Sequence, residues 1–171
     1  NWIDAILRTA AVQNYQLSAQ GSNDLGNIYV SGGYLNQEGI VRNTGYERIN
    51  LRMNGTLNLR DNLRVGASFA PSTSTQDRGE TEGKDKVILY ALQYPPVMDM
   101  NSGTRDKGFD PLYPNNVNQY DRLMSVTDRK EENRVSASVW LEYDILRGLQ
   151  FKTIYALNTR NTVYEYFLPG N

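Results

Sequence analysis

The sequence predicts an all-β protein: about six strands of a partial antiparallel, up-and-down transmembrane β-barrel, with one long loop that contains a short helix. Three observations carry this. Tyr46 to Leu59 alternates strictly along an unusually long run, the same alternation recurs between short turn motifs, and the stretch from Ser72 to Glu132 is far too long for a hairpin loop.

Taken in chain order, Trp2 to Leu7 reads as a helical turn or two with Asn1 as a cap. Asn14 to Gln20 alternates Tyr15, Leu17 and Ala19 with Gln16, Ser18 and Gln20. Asn27 to Asn36 reads as a strand of undecided phase, because its glycines and tyrosines suit either face. From Tyr46, the apolar Ile49, Leu51, Met53, Leu57 and Leu59 oppose Arg48, Asn50, Arg52, Asn54, Thr56 and Asn58. At about 3.3 Å per residue that strand is roughly 45 Å long, enough to cross a tilted bilayer.

Leu63 to Pro71 sets Leu63, Val65, Ala67 and Phe69 against Arg64, Gly66 and Ser68. Asn133 to Ile145 sets Val135, Ala137, Val139, Leu141, Tyr143 and Ile145 against Arg134, Ser136, Ser138, Glu142 and Asp144, with Trp140 breaking the polar face. Leu149 to Asn158 follows the same rule except at Ile154 and Ala156. Turn chemistry separates the runs at Gly21–Gly26, Asn43–Gly45, Arg60–Asn62 and Arg147–Gly148. Within the long connection, Asp85 to Tyr94 has helical spacing and stops at Pro95-Pro96.

Composition narrows the chemistry. The chain has 171 residues with 39% hydrophobic and 11% aromatic content, and it lacks both cysteine and histidine. Thiolate or imidazole zinc sites, Cys/His and Ser/His/Asp nucleophiles and disulfides are therefore excluded. Lys+Arg of 18 against Asp+Glu of 19 provides no surplus for binding nucleic acid. The mean hydropathy of -0.60 reflects alternation and does not oppose a barrel, whose strands average to hydrophilic. The chain starts at Asn1 without methionine and stops after a strand-like segment, so it reads as part of a longer protein.

Outer-membrane barrels have short periplasmic turns and long outer loops. Strand parity then predicts an extracellular loop and helix over 1–13, four strands over 14–71, a long extracellular loop over 72–132 and two strands over 133–171. Arg48, Arg52, Arg64, Arg134, Glu142, Asp144 and Lys152 face the lumen in this scheme, and Tyr15, Tyr46, Tyr143, Tyr164, Tyr166 and Phe167 are placed in interfacial girdles.

The ordered series Asn1-Trp2-Ile3-Asp4 through Thr9, Asn14-Tyr15-Gln16-Leu17-Ser18, Tyr29-Val30-Ser31-Gly32-Gly33-Tyr34-Leu35-Asn36-Gln37-Glu38-Gly39-Ile40, Asn43-Thr44-Gly45-Tyr46-Glu47-Arg48, Leu141-Glu142-Tyr143 and Gly148-Leu149 resembles the SusC/RagA-type TonB-linked outer-membrane proteins of Gram-negative bacteria. That resemblance covers most of the chain outside the long loop. It implies an early segment of a barrel of about 22 strands, without the N-terminal plug and the segment that contacts the TonB complex. It also implies energised import of oligosaccharides, or in some members peptides, together with a SusD-like surface lipoprotein that acts as a lid.

The long loop is the expected ligand-binding region. Tyr94 and Tyr113 offer aromatic platforms for a sugar face, and Asp99, Asp110, Asn115 and Asn116 offer carboxylate and amide groups for hydroxyls. Trp2 is a candidate contact for the partner lipoprotein. The carboxylate pairs Glu80/Glu82 and Glu131/Glu132 do not suggest a glycosidase, since sequence neighbours do not supply two groups flanking a bond about 5 to 9.5 Å apart. The acidic stretches 80–85 and 99–110 lack the spacing of a calcium loop. No catalysis, metal or cofactor is expected. A soluble carbohydrate-binding β-sandwich or adhesin and a passive porin are the alternative readings.

Overall fold

A computed structural model describes residues 2–79, 88, 92 and 123–168. They form one antiparallel sheet in sequence order, with β1 over Val12–Asn23, β2 over Gly26–Glu38, β3 over Gly45–Arg60, β4 over Leu63–Asp77, β5 over Thr127–Leu146 and β6 over Leu149–Phe167. A single helix, α1 (Trp2–Ile6), precedes the sheet. The sheet does not close, so β1 and β6 are its two edges.

Three tight turns lie at one end of the sheet, at Asp24-Leu25, Asp61-Asn62 and Arg147-Gly148. At the first, the Asn23 side-chain oxygen accepts from the N–H of Leu25 (3.0 Å) and of Gly26 (3.1 Å), a local bond that bends the chain back. Gly148 takes a φ of 88°, which glycine adopts without a Cβ penalty. The two other connections, at the opposite end, are the longer ones.

Register converts this meander into a barrel wall. Gly26 pairs with Leu57, three residues before β3 ends at Arg60, and Leu63 pairs with Tyr143, three residues before β5 ends at Leu146. Each successive turn is thus displaced by about 10 Å for every two strands, or about 10 Å of width, so turns on a common rim require a strand tilt of about 45°.

The apolar face slopes the same way. Its upper limit is Tyr34 on β2 and Ile49 on β3, which pair with each other, but Pro71 and Val135 on β4 and β5, two residues closer to the turns. On β6 it is Leu157, opposite Ala137, another two residues down. Val163 and Phe167 are apolar residues beyond that limit. On β5 the belt runs from Val135 to Ile145, and ten steps at this tilt give about 24 Å, matching the apolar band of an outer-membrane barrel.

Exposure agrees with the side assignment. On the inner strand β5, Val139 on the apolar face is 54% exposed whereas Glu132 on the polar face is 9% exposed; the edge strands β1 and β6 are exposed on both faces. On the inner strands β3 to β5 the apolar face is the more exposed of the two. A soluble β-sandwich would bury that face beneath a second sheet, and no second sheet occurs among the described residues.

Several boundaries differ from the sequence expectation. Strand pairing runs on to Asp77 and resumes at Thr127, so the long connection is shorter than 72–132. Periodicity cannot reveal the added part of β4, because Ser72 to Gln76 is polar at every position. Pro71 stands inside this central strand, and the β3–β4 ladder lapses there between the Asn50–Ser72 and Met53–Phe69 pairs. A residue without an N–H cannot sustain a ladder bond. Within the expected loop helix, the two described residues, Ile88 and Leu92, are helical and exposed.

The fully packed hydrophobic residues lie at the end away from the tight turns. Ile6, Val41, Leu123 and Val126 form a small core between α1, the β2–β3 connection and the root of the long loop. Asn43 closes it, with a φ of 59° and a side-chain amide that donates to the carbonyls of Leu123 (2.8 Å) and Val126 (2.9 Å). Arg42 and Arg8 add donations to the carbonyls of Ala5 and Gly39. Replacing Asn43 with alanine removes two bonds and places a residue averse to left-handed backbone there. The expected result is a loss of about 2 kcal/mol of local stability, read as faster hydrogen exchange at 123–126 with sheet exchange unchanged.

Candidate functional site

The phase of β2 is settled by its register. Tyr29, Ser31, Gly33 and Leu35 lie opposite Asn54, Arg52, Asn50 and Arg48 on the polar face, while Ile28, Val30, Gly32 and Tyr34 join the apolar one. Tyr34 stacks on Tyr15 with ring centroids 6.5 Å apart, an aromatic pair near the upper limit of the belt. Sequence reasoning missed Tyr34 because glycines and tyrosines fill both phases of β2.

The aromatic girdle is partly corrected. Tyr15, Tyr143 and Phe167 share the apolar face, but Tyr46, Tyr164 and Tyr166 have the opposite phase, pairing with Gln37, Lys130 and Asp128 on the polar side. The ring of Tyr164 instead receives two cations, the Arg78 guanidinium at 5.5 Å and the Lys130 ammonium at 5.8 Å.

Two ion networks occupy the polar face. Near the tight turns, Arg64 pairs with Glu142 at 2.5 Å and Asp144 at 3.4 Å, and Lys152 reaches Glu142 at 3.2 Å. The Lys152 ammonium also lies 5.3 Å from the Trp140 ring centre. Trp140, which broke the alternation, sits over Gly66, where a Cβ would come within 2.3 Å of the indole. Glycine makes room for the ring at that position. The exceptions Ile154 and Ala156 lie on the same polar face, opposite Trp140 and Ser138.

The second network, above the belt, centres on Glu132. Its carboxylate accepts from Arg134 Nε at 2.5 Å and from Arg160 Nε at 2.8 Å, and Lys130 Nζ stands 3.7 Å away. The hydrogen bond from Arg134, and after it that from Arg160, holds this carboxyl below the usual carboxylate range despite its burial. Tyr46, Ser74 and Gln76 complete a pocket of about 210 Å³ around these charges. Glu131 lies on the other face of β5, so Glu131 and Glu132 do not flank a common site.

Tyr94, Asp99, Asp110, Tyr113, Asn115 and Asn116 lie outside the described residues, as do Glu80, Glu82 and the acidic stretch 99–110. Trp2 begins α1, but its side chain is also outside them.

Comparison with known proteins agrees with this architecture. No protein-family model matches the chain. The TonB-dependent receptor P3 of Formosa agariphila is 26% identical over 99% of this chain, and the TonB-dependent receptor P26 of the same organism is 34% identical over 46% of it. The RagAB peptide transporter matches 94% of the chain with a TM-score of 0.72 and 21% identity. The chain spans 18% of the length of receptor P3 and 19% of the matched RagAB chain. Over nearly its whole length the chain is similar in sequence to TonB-dependent receptors, and its open six-stranded sheet has the fold of the matched part of the RagAB peptide transporter.

Proposed function

We propose that this chain forms part of the wall and outer vestibule of an energised nutrient importer in the Gram-negative outer membrane. The observation that supports it best is the sloping apolar belt with a charged, hydrogen-bonding face behind it. One side suits lipid and the other a polar path for a hydrophilic solute. The imported solute is an oligosaccharide or, as for RagAB, a peptide. A SusD-like surface lipoprotein covers the vestibule, and the TonB complex acts through a region outside this chain. The long loop supplies ligand contacts through Tyr94, Asp99, Asp110, Tyr113, Asn115 and Asn116, and Trp2 touches the lipoprotein.

Import is tested in cells carrying the full-length receptor, by following uptake of labelled oligosaccharides and peptides with and without TonB. Uptake that vanishes without TonB is expected, whereas equal uptake in both strains would identify a passive porin. Replacing Tyr94 and Tyr113 with alanine should lower uptake severalfold at unchanged surface expression, as stacked aromatic platforms contribute about 1 kcal/mol each. Unchanged uptake would remove the long loop from the ligand site.

A further inference from the structure

Charge is unevenly distributed along the polar face of the wall. Near the tight turns, Arg64 and Lys152 are matched by Glu142 and Asp144. Farther up, Arg48, Arg52, Lys130, Arg134 and Arg160 share that face with a single carboxylate on the same strands' interior, Glu132, until Asp128 at the rim, which is engaged by Arg78. Arg134 and Arg160 are direct cross-strand partners, an arrangement that opposes pairing of β5 with β6.

Glu132 leaves the guanidinium groups only partly engaged. It meets Arg134 at Nε, so among the described residues both terminal amino groups of Arg134 lack an acceptor. Arg160 uses Nε and one terminal nitrogen, leaving the other. The side chains are 53% and 56% exposed, and they border the pocket that Tyr46, Ser74 and Gln76 line with further hydrogen-bonding groups. Arg48 and Arg52, both exposed on the neighbouring part of β3, have no carboxylate partner among the described residues. An aqueous path backed by a low-dielectric wall focuses such a field and attracts anions.

We propose that the Lys130–Arg134–Arg160 cluster is a carboxylate subsite on the import path, with Arg48 and Arg52 steering the anion toward it. The proposal rests on the import reading and narrows the substrate to one that carries carboxylates. Arginine forks bind such groups bidentately, and the free terminal nitrogens supply the donors.

The test uses the purified full-length receptor in detergent and measures binding calorimetrically. The probes are tetragalacturonate against its methyl ester, and tetra-aspartate against tetra-asparagine, so that sugar and peptide sources of the carboxylate are separated. In one pair the acid form should bind at least about tenfold more tightly than its neutral counterpart, with affinity falling as salt rises. Arg134→Gln with Arg160→Gln should abolish that preference. Arg48→Gln with Arg52→Gln, which removes no described ion pair, should weaken binding of the acid probe severalfold through lost steering. Equal binding of acid and neutral probes, no binding of either acid probe, or an acid preference that survives the Arg134/Arg160 change would overturn the proposal. Binding needs no TonB, so TonB-independent uptake alongside intact acid binding would defeat the import reading alone.

Discussion

Replacing Val139 with arginine in the full-length protein is expected to destabilise the barrel by about 2 to 4 kcal/mol, while Ala156→Arg at the same height leaves it nearly unchanged. Val139 pairs with Tyr155 on the apolar face, near the middle of the belt on β5. Ala156, one residue from Tyr155, pairs with Ser138 on the polar face. Both substitutions add the same charge and bulk, so local strand propensity is shared and only the environment differs. An arginine at position 139 must remain in hydrocarbon or distort the bilayer to reach water, whereas one at position 156 points into a hydrated lumen. Unfolding titrations after refolding into phospholipid vesicles measure the difference. Equal costs for the two variants would contradict the assignment of the apolar face to lipid.

The second large effect concerns the chain by itself. Among the described residues, β1 presents an unpaired backbone edge along 12 residues and β6 along 19, and no second layer covers the apolar face. In water both features favour association with further copies, by edge pairing and by burial of the apolar face. Produced alone, the 171-residue chain is expected to sediment as aggregates without detergent and to show β-sheet signal only in detergent micelles or as aggregate. Analytical ultracentrifugation with and without detergent checks this. A monodisperse soluble monomer that unfolds cooperatively would defeat the barrel interpretation.

Much of the architecture was legible because one strand contains its own explanation. From Arg48 to Leu59 nearly every second side chain is apolar, and the only structure that puts those groups in one environment and the arginines and asparagines in another is an extended strand. The turns were legible for a similar reason, since Asn23, Gly26 and Gly148 act on the adjacent backbone. The polar-face positions of Arg64, Glu142, Asp144 and Lys152 followed from the same parity, and these four side chains form one ion network.

Other features depended on partners distant in sequence. The phase of β2 follows from pairing with β1 and β3, because its glycines carry no hydrophobic information. The upper parts of β4 and β5 rise above the belt, where lipid no longer imposes alternation, so their strands escape a reading based on periodicity. Tyr164 and Tyr166 resembled girdle residues until register placed them on the polar side. The cluster at Glu132 joins residues from two strands separated by 28 positions.

By itself, then, the sequence determined the all-β class, the identity of the strongest strands and which face of each is apolar, because those follow from the two-residue period of a single extended chain. Tertiary structure decided the register, and through register the tilt, the slope of the belt and the uneven charge of the polar face. Those properties arise from hydrogen bonds between strands, which set each residue's height against residues far away in the chain.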